Sequence, residues 1–156
     1  MKLTIVEKWG VNLMNAKEYL SQAIWLDKSI NNKLEQKERL ESLAQKVTVD
    51  FSREKVSGGK ATTSTMEDTI VKLIDLSHEI NDDIDKLVDL KREILKTISQ
   101  VEDVSYQLLL EIRYINNKSW DDVARDMGYD RSTVFRIHGK ALKEIEEILK
   151  VATKCD

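Results

Sequence analysis

Apolar residues recur at alternating steps of four and three residues across the middle of the chain. The repeat occupies eleven positions, of which nine are apolar: Met66, Ile70, Leu73, Ser77, Ile80, Ile84, Leu87, Lys91, Ile94, Ile98 and Val101. A seam with this period is typical of a long α-helix that packs along another helix. The spacing predicts a helix over residues 66–100, on the order of 50 Å long at ~1.5 Å per residue.

The remaining sequence also favours helices. None of the 156 residues is proline, only five are glycine, and charged residues make up 34% of the chain. Because proline interrupts helix interiors, its absence permits long continuous helices. We therefore predict an all-α fold, with a long helical hairpin or coiled coil in residues 1–101 and a C-terminal trihelical helix-turn-helix domain in residues 102–156.

A second long helix is predicted before the seam. Asn15, followed by Glu18, forms an N-cap with a capping-box partner and opens a helix of about thirty residues that ends near Val47. The segment 48–65 contains a Gly-Gly pair and many Ser and Thr residues, and it is predicted to be a loop. The seam can pack on this first helix as a hairpin or pair between chains. We expect both, with a homodimer formed through the long helices.

Three short helices are predicted at the C-terminal end. The first spans 104–115, Ser119 caps the second, Gly128 ends it in a left-handed conformation, and Asp130 caps the third. The residues predicted to face their common core are Leu108, Leu109, Ile112, Ile115, Trp120, Val123, Ala124, Met127, Val134, Ile137, Ala141, Leu142, Ile145, Ile148 and Leu149. A tight turn between the second and third helices is what a helix-turn-helix requires.

The third helix is basic within an acidic protein. The formal net charge of the chain is −3, but residues 129–143 contain four basic residues (Arg131, Arg136, Lys140 and Lys143) and one acidic residue (Asp130), a local charge of +3. A small cationic face of this kind is compatible with contact to DNA phosphates.

The segment SWDDVARDMGYDRSTVFRIHGKALKEI resembles the helix-turn-helix of the fourth region of bacterial sigma factors, from Ser119 to Leu142. Together with the upstream segment EDTIVKLIDLSHEINDDIDKL and the following LKREI, it resembles the phage-encoded ArpU/RinA-type transcriptional regulators. This resemblance extends from Glu67 to the end of the chain. It implies sequence-specific binding of double-stranded DNA at a phage promoter or operator, and control, usually activation, of late genes.

The third helix supplies most of the predicted DNA contacts. If Val134, Ile137 and Ala141 face inward, the residues left facing outward are Arg131, Ser132, Thr133, Phe135, Arg136 and Lys140. Arg136 is predicted to form a bidentate contact with guanine. Lys118, Ser119, His138 and Lys140 are predicted to lie near the phosphate backbone. Phe135 departs from the sigma-like pattern; it is expected either to contact a thymine methyl group or to cover the core.

Two other functions stay open at the level of sequence. One is a DNA-packaging protein such as a terminase small subunit, and the other is an interaction module that binds host RNA polymerase. No enzyme, cofactor or metal motif is found. His78 and the run Asp82, Asp83 and Asp85 are expected to be solvated, and Cys155 to be an exposed thiol. The sequence also predicts a cytoplasmic protein without a membrane segment.

Overall fold

The computed structural model describes residues 15–53 and 60–154. The fold is all-α, and no strand occurs within these two ranges. Helix α1 spans Ala16–Arg53, α2 Lys60–Ile98, α3 Val104–Leu110, α4 Trp120–Met127 and α5 Arg131–Lys154, and a π-helical turn, Glu111–Ile115, follows α3 directly. The predictions for Gly58, Gly59, Cys155 and the N-terminal dozen residues lie outside the described residues.

The start of α1 confirms the predicted capping box. The backbone N–H of Glu18 donates to Asn15 Oδ1 over 2.9 Å, and the backbone N–H of Asn15 donates to Glu18 Oε2 over 3.2 Å. Each side chain thus satisfies a backbone donor that has no partner inside the first turn of the helix. The cap fixes where the helix begins.

The predicted loop at 48–65 is wrong at both of its ends. Helix α1 continues to Arg53 and α2 already begins at Lys60, so that only residues 54–59 of the predicted loop lie outside the described helices. Threonines in and beside the predicted loop are accommodated within the helices, because their hydroxyl groups donate back along the helix. Thr48 Oγ1 donates to the carbonyl of Ala44 over 2.8 Å, and Thr69 Oγ1 donates to Thr65 over 2.8 Å.

The chain divides into two compact units, and the division differs from the predicted boundary near residue 101. Of the described residues, one unit contains those within 26–86 and the other contains residues 15–25 together with 87–154. The start of α1 and the end of α2 therefore belong to the same unit as the C-terminal helices. Each unit is described on its own below.

In the unit formed by residues 26–86, α1 and α2 run antiparallel. Lys33 lies 20 residues before the end of α1 at Arg53, and Asp83 lies 23 residues after the start of α2 at Lys60. Their side chains nevertheless meet, with Lys33 Nζ 2.7 Å from Asp83 Oδ2 and 3.3 Å from a carboxylate oxygen of Glu79. A contact so far from both ends requires the chain to reverse direction, so this part of the predicted hairpin is formed.

In this unit, only half of the predicted seam positions of α2 face α1. The predicted positions 66, 73 and 80 face inward, but each is followed three residues later by another inward residue: Thr69, Leu76 and Asp83. Ile70 and Ile84, which were predicted for the seam, remain 42% and 41% exposed. The prediction that Asp83 is solvated is also wrong, since this residue is buried and paired with Lys33. Asp83 faces α1 because its carboxylate pairs with Lys33 there. The next residue, Ile84, therefore points outward.

Residues 15–25 and 87–154 form the second unit around a continuous apolar core. The side chains that are fully buried there are Leu20, Ile94, Ile98, Leu109, Leu110, Val123, Val134 and Ile145. One polar contact crosses the same interior, where the hydroxyl groups of Tyr19 and Thr97 lie 2.9 Å apart. Burial raises the pKa of Tyr19. The start of α1 and the end of α2 therefore provide a platform on which the C-terminal helices pack.

Candidate nucleic-acid interface

Helix α4, the start of helix α5 and one left-handed residue between them build the candidate interface. Ser119 is the N-cap of α4, and its hydroxyl oxygen accepts from the backbone N–H of Asp122 over 3.2 Å. The same hydroxyl donates to Asp122 Oδ2 over 2.6 Å, and this bond lowers the pKa of Asp122. Gly128 ends α4 with φ 69°. Both predicted signals are confirmed, and only three residues separate α4 from α5.

Asp130 opens helix α5, as predicted. Its Oδ1 accepts from the backbone N–H of Thr133 over 2.7 Å, and the pKa of the carboxyl group is lowered by its hydrogen bonds to Thr133. A charged cap at the N-terminus of α5 interacts favourably with the helix dipole. The first turn of α5 is therefore held rigidly, and it carries three of the predicted contact residues: Arg131, Ser132 and Thr133.

Most of the predicted contact residues lie on the surface. The exposed ones are Lys118, Ser119, Arg131, Ser132, Phe135, Arg136 and Lys140, whereas Thr133 is half-buried. Successive residues of an α-helix are rotated by about 100°. Ser132, Arg136, Gly139 and Lys143 therefore follow one line on the side of α5 opposite to its buried residues. We call these four residues the outer line of α5. Arg131 and Phe135 flank it on one side, and Thr133 and Lys140 flank it on the other.

The prediction for His138 is wrong. Its side chain is only 8% exposed, and Nε2 lies 2.8 Å from the hydroxyl oxygen of Tyr114 in the interior of the unit. Burial, and then the positive charges of Lys17 and Arg113, lower the pKa of His138 to about 4. Burial also raises the pKa of Tyr114 to about 12. His138 is therefore a neutral residue of the core and is not available to a phosphate.

A signal for this burial was present in the sequence. Positions 134, 138, 141 and 145 recur at steps of four, three and four, which is the spacing of the buried face of α5. Sequence reasoning left out position 138 because histidine is polar. Its partner Tyr114 lies 24 residues earlier, and local spacing does not reveal such a partner.

The turn before α4 places Tyr114 in the core. The backbone N–H of Asn116 donates to the carbonyl of Glu111 over 3.0 Å, a step of five residues that defines the π-helical turn. In this part of the molecule Ile112 and Tyr114 are buried, whereas Leu108, which was predicted for the core, is 46% exposed. The wider turn changes which side of the segment faces inward, and regular α-helical spacing does not anticipate such a change.

Trp120 is the centre of an aromatic cluster that sequence reasoning did not assemble. Its ring centroid lies 4.7 Å from that of His138 and 5.0 Å from that of Phe135. The guanidinium group of Arg113 lies 4.8 Å from the same ring centroid, and its Nη1 donates to the carbonyl of Lys118 over 2.6 Å. These contacts join the π-helical turn, α4 and α5, and they fix the side of α5 that carries Phe135.

The two arginines of the candidate interface differ in their environment. Arg131 Nη1 lies 3.3 Å from Asp121 Oδ1, and both side chains are largely exposed. Arg136 forms no ion pair within the described parts of the chain. Exposed ion pairs are weak and are screened by salt, so a phosphate or a base edge can replace Asp121 as the partner of Arg131. Arg136 can meet a nucleic acid without losing such a partner.

Two other kinds of site were sought in the described ranges. No group of three or more His, Cys, Asp or Glu residues there is arranged to hold a metal ion. None of the described helices combines the length and the apolar character that a membrane span requires.

Comparison with known proteins places the chain in one family. The model of a family described as "Protein of unknown function (DUF1492)" matches residues 47–146, which is more than half of the chain. No curated protein and no solved structure matches the sequence. The matched range includes α2, α3, α4 and the first two thirds of α5. The chain therefore belongs to the family of proteins of unknown function DUF1492.

Proposed function

We propose that this protein binds DNA in a sequence-specific manner by inserting α5 into the major groove. The observation that carries the proposal is the contrast between the two sides of α5. One side buries Val134, Ile137, His138, Ala141 and Ile145 against the rest of the unit. The opposite side exposes the outer line of α5, with two cationic residues and one hydroxyl group and no large apolar side chain. A helix that is fixed on one side and cationic on the other suits groove contact.

The flanks of the outer line add to this chemistry. Arg131 and Lys140 contribute further positive charges, and the exposed residues Lys118 and Ser119 lie at the N-terminus of α4. Helix N-termini and lysines commonly contact DNA phosphates, while arginines near the start of the inserted helix read base edges. Residues 129–143 thus carry a local charge of +3 within a chain whose net charge is −3.

The biological role that we propose is that of a phage or prophage transcriptional regulator acting in the bacterial cytoplasm. This part of the proposal rests on the resemblance of residues 67–156 to the ArpU/RinA-type regulators. Such a role requires recognition of a promoter or operator, and the geometry of α4 and α5 is compatible with it. Contact with host RNA polymerase belongs to the same proposal.

The decisive experiment is selection from a library of duplexes with a random core of about 20 base pairs, close to two turns of DNA. At roughly 0.15 M salt, the full-length protein should enrich a defined sequence motif. Arg136→Ala should weaken binding to the selected duplex by about tenfold, since a bidentate arginine–guanine contact contributes roughly 1–3 kcal/mol. Binding to unrelated duplexes should change far less.

Arg92→Ala is the matched control for Arg136→Ala. Arg92 is an exposed arginine of α2 that pairs with Asp89, so this variant removes the same charge elsewhere on the protein. It should bind the selected duplex like the wild type. Absence of any enriched motif, or equal losses for the two variants, would contradict the proposal.

We also propose that the protein acts as a homodimer, through a surface of α2 that α1 leaves uncovered. In the unit formed by residues 26–86, Ile70, Ile74 and Ile84 are 42%, 52% and 41% exposed. Together with Ser77 and Asn81 they follow steps of four, three, four and three along one side of α2. This is a second heptad stripe beside the one that faces α1, and such a stripe fits a helix of another copy.

Sedimentation equilibrium tests the homodimer. The wild type should have the mass of two chains, and Ile74→Asn should shift the equilibrium towards one chain because it places an amide in the middle of the apolar stripe. Asp82→Asn, which alters an exposed residue on another side of α2, is the control and should leave the mass unchanged. A wild-type protein with the mass of a single chain would exclude the dimer.

A further inference from the structure

Phe135 is an exposed aromatic residue on an otherwise polar surface. It lies in the second turn of α5, beside the outer line, and 45% of its surface is exposed. Removal of the exposed part of the ring from water by another molecule would be favourable. Phe135 therefore has a packed part, which lies against Trp120, and an exposed part, which is accessible to another molecule.

The buried part of Phe135 is held by Trp120. The two ring centroids lie 5.0 Å apart with an angle of 52° between the ring planes, and Trp120 is fixed in turn by His138 and Arg113. The guanidinium group of Arg131 lies 5.8 Å from the Phe135 centroid. Contacts of this kind restrict the ring to one orientation. The exposed part is thus presented in a fixed position and does not have to be ordered on binding.

The position of Phe135 along α5 matches the positions of bases in a groove. Phe135 follows Arg131 by one turn of the helix, about 6 Å along its axis. Base pairs are stacked about 3.4 Å apart. Side chains at these two positions therefore reach base pairs that are one or two steps apart. In the major groove, the apolar group that a base edge offers is the C5-methyl group of thymine.

We propose that Phe135 determines sequence specificity by binding the C5-methyl group of one thymine in the major groove. This inference rests on the proposed function and extends it by naming the chemical group that is recognised. The methyl group would cover the exposed part of the ring, while Trp120 supports the ring from behind. Cytosine lacks this methyl group and would leave the ring exposed, so the protein would discriminate between the two pyrimidines at this position.

Replacement of thymidine by deoxyuridine tests the proposal, because it removes only the methyl group and keeps every hydrogen-bonding group of the base. The probe is the duplex selected from the random library, with each thymidine replaced in turn. At one position the full-length wild-type protein should bind about fourfold more weakly, the ratio expected for one buried group of the size of a methylene. No loss at any thymidine would overturn the proposal.

Two variants test whether Phe135 is the residue that contacts the methyl group. Phe135→Leu retains an apolar side chain in the contact with Trp120, but this side chain is shorter than the ring and no longer reaches the methyl group. This variant should therefore bind the thymidine and deoxyuridine duplexes with nearly equal affinity. Thr133→Ser is the matched variant, since it removes the methyl group of a half-buried side chain near the start of α5. It should keep the fourfold preference. Loss of the preference in Thr133→Ser, or its persistence in Phe135→Leu, would overturn the assignment to Phe135.

The outcomes separate this inference from the proposed function. If the library yields a motif but deoxyuridine has no effect, the protein reads DNA without the methyl contact, and only the present inference fails. If the library yields no motif, the proposed function fails and the role of Phe135 fails with it. A single thymidine whose effect disappears in Phe135→Leu supports both.

Discussion

The free energy of unfolding should fall by about 3 kcal/mol as the pH is lowered from 6.5 to 4, because His138 resists protonation in the folded state. The pKa of His138 is lowered from 6.5 to about 4, chiefly by burial and further by the charges of Lys17 and Arg113. Below pH 6.5 the unfolded chain binds a proton at this residue and the folded chain does not. Acid therefore favours the unfolded state throughout this range, and the stabilisation is fully present above pH 6.5.

Urea denaturation across this pH range, in the His78→Gln background, measures the effect. The chain contains two histidines, so His138 is then the only one that titrates. His138→Gln in the same background is the control, since the amide can still bond to the Tyr114 hydroxyl group but binds no proton. The dependence of stability on pH between 6.5 and about 4.5 should be lost in the control. An equal dependence in both proteins would mean that His138 is not the residue responsible.

The same residue shows what sequence reasoning missed in the candidate interface. Caps and turns were predicted correctly at Asn15, Ser119, Gly128 and Asp130, because each depends on residues within a few positions of one another. The burial of His138 depends on a hydroxyl group from a segment 24 residues earlier. A polar residue on a buried face is predictable only when its partner is known, and here a π-helical turn places that partner.

The long helices lead to a similar conclusion. The period of the apolar pattern correctly indicated that α2 packs along another helix, and the fold class follows from it. The pattern did not distinguish two adjacent stripes, because Ile70 and Ile84 satisfy the same heptad spacing as the residues that face α1. The choice between them depends on the pair of Lys33 with Asp83, whose residues lie 50 positions apart. Hydrophobic period alone therefore leaves the register of α2 undetermined.

Substitution of alanine for two glycines of the helix-turn-helix should have opposite effects on stability. Gly128 has φ 69°, a conformation that costs alanine roughly 1 kcal/mol or more. Gly139 lies in the interior of α5, where alanine is favoured by about 1 kcal/mol. A Cβ atom at either position would meet nothing within 4 Å, so neither effect is obscured by a clash.

Urea denaturation at neutral pH compares the two variants. Gly128→Ala should be less stable than the wild type and Gly139→Ala more stable, with a difference of about 2 kcal/mol between them. Each serves as the control for the other, because the same methyl group is added in the same unit of the protein. Destabilisation by both substitutions would show that the folded protein requires glycine at position 139 for its own stability.

The expected stabilisation by Gly139→Ala bears on the proposed function. Gly139 belongs to the outer line of α5, between Arg136 and Lys143, and no contact inside the unit accounts for the missing side chain. Glycine lowers the stability of a helix interior, and its presence at position 139 is explained if DNA approaches the backbone of α5 closely there. Gly139→Ala should then bind the selected duplex more weakly although it is more stable. Unchanged affinity would mean that α5 enters the groove only by its first two turns, with Arg136 as its last contact on the outer line.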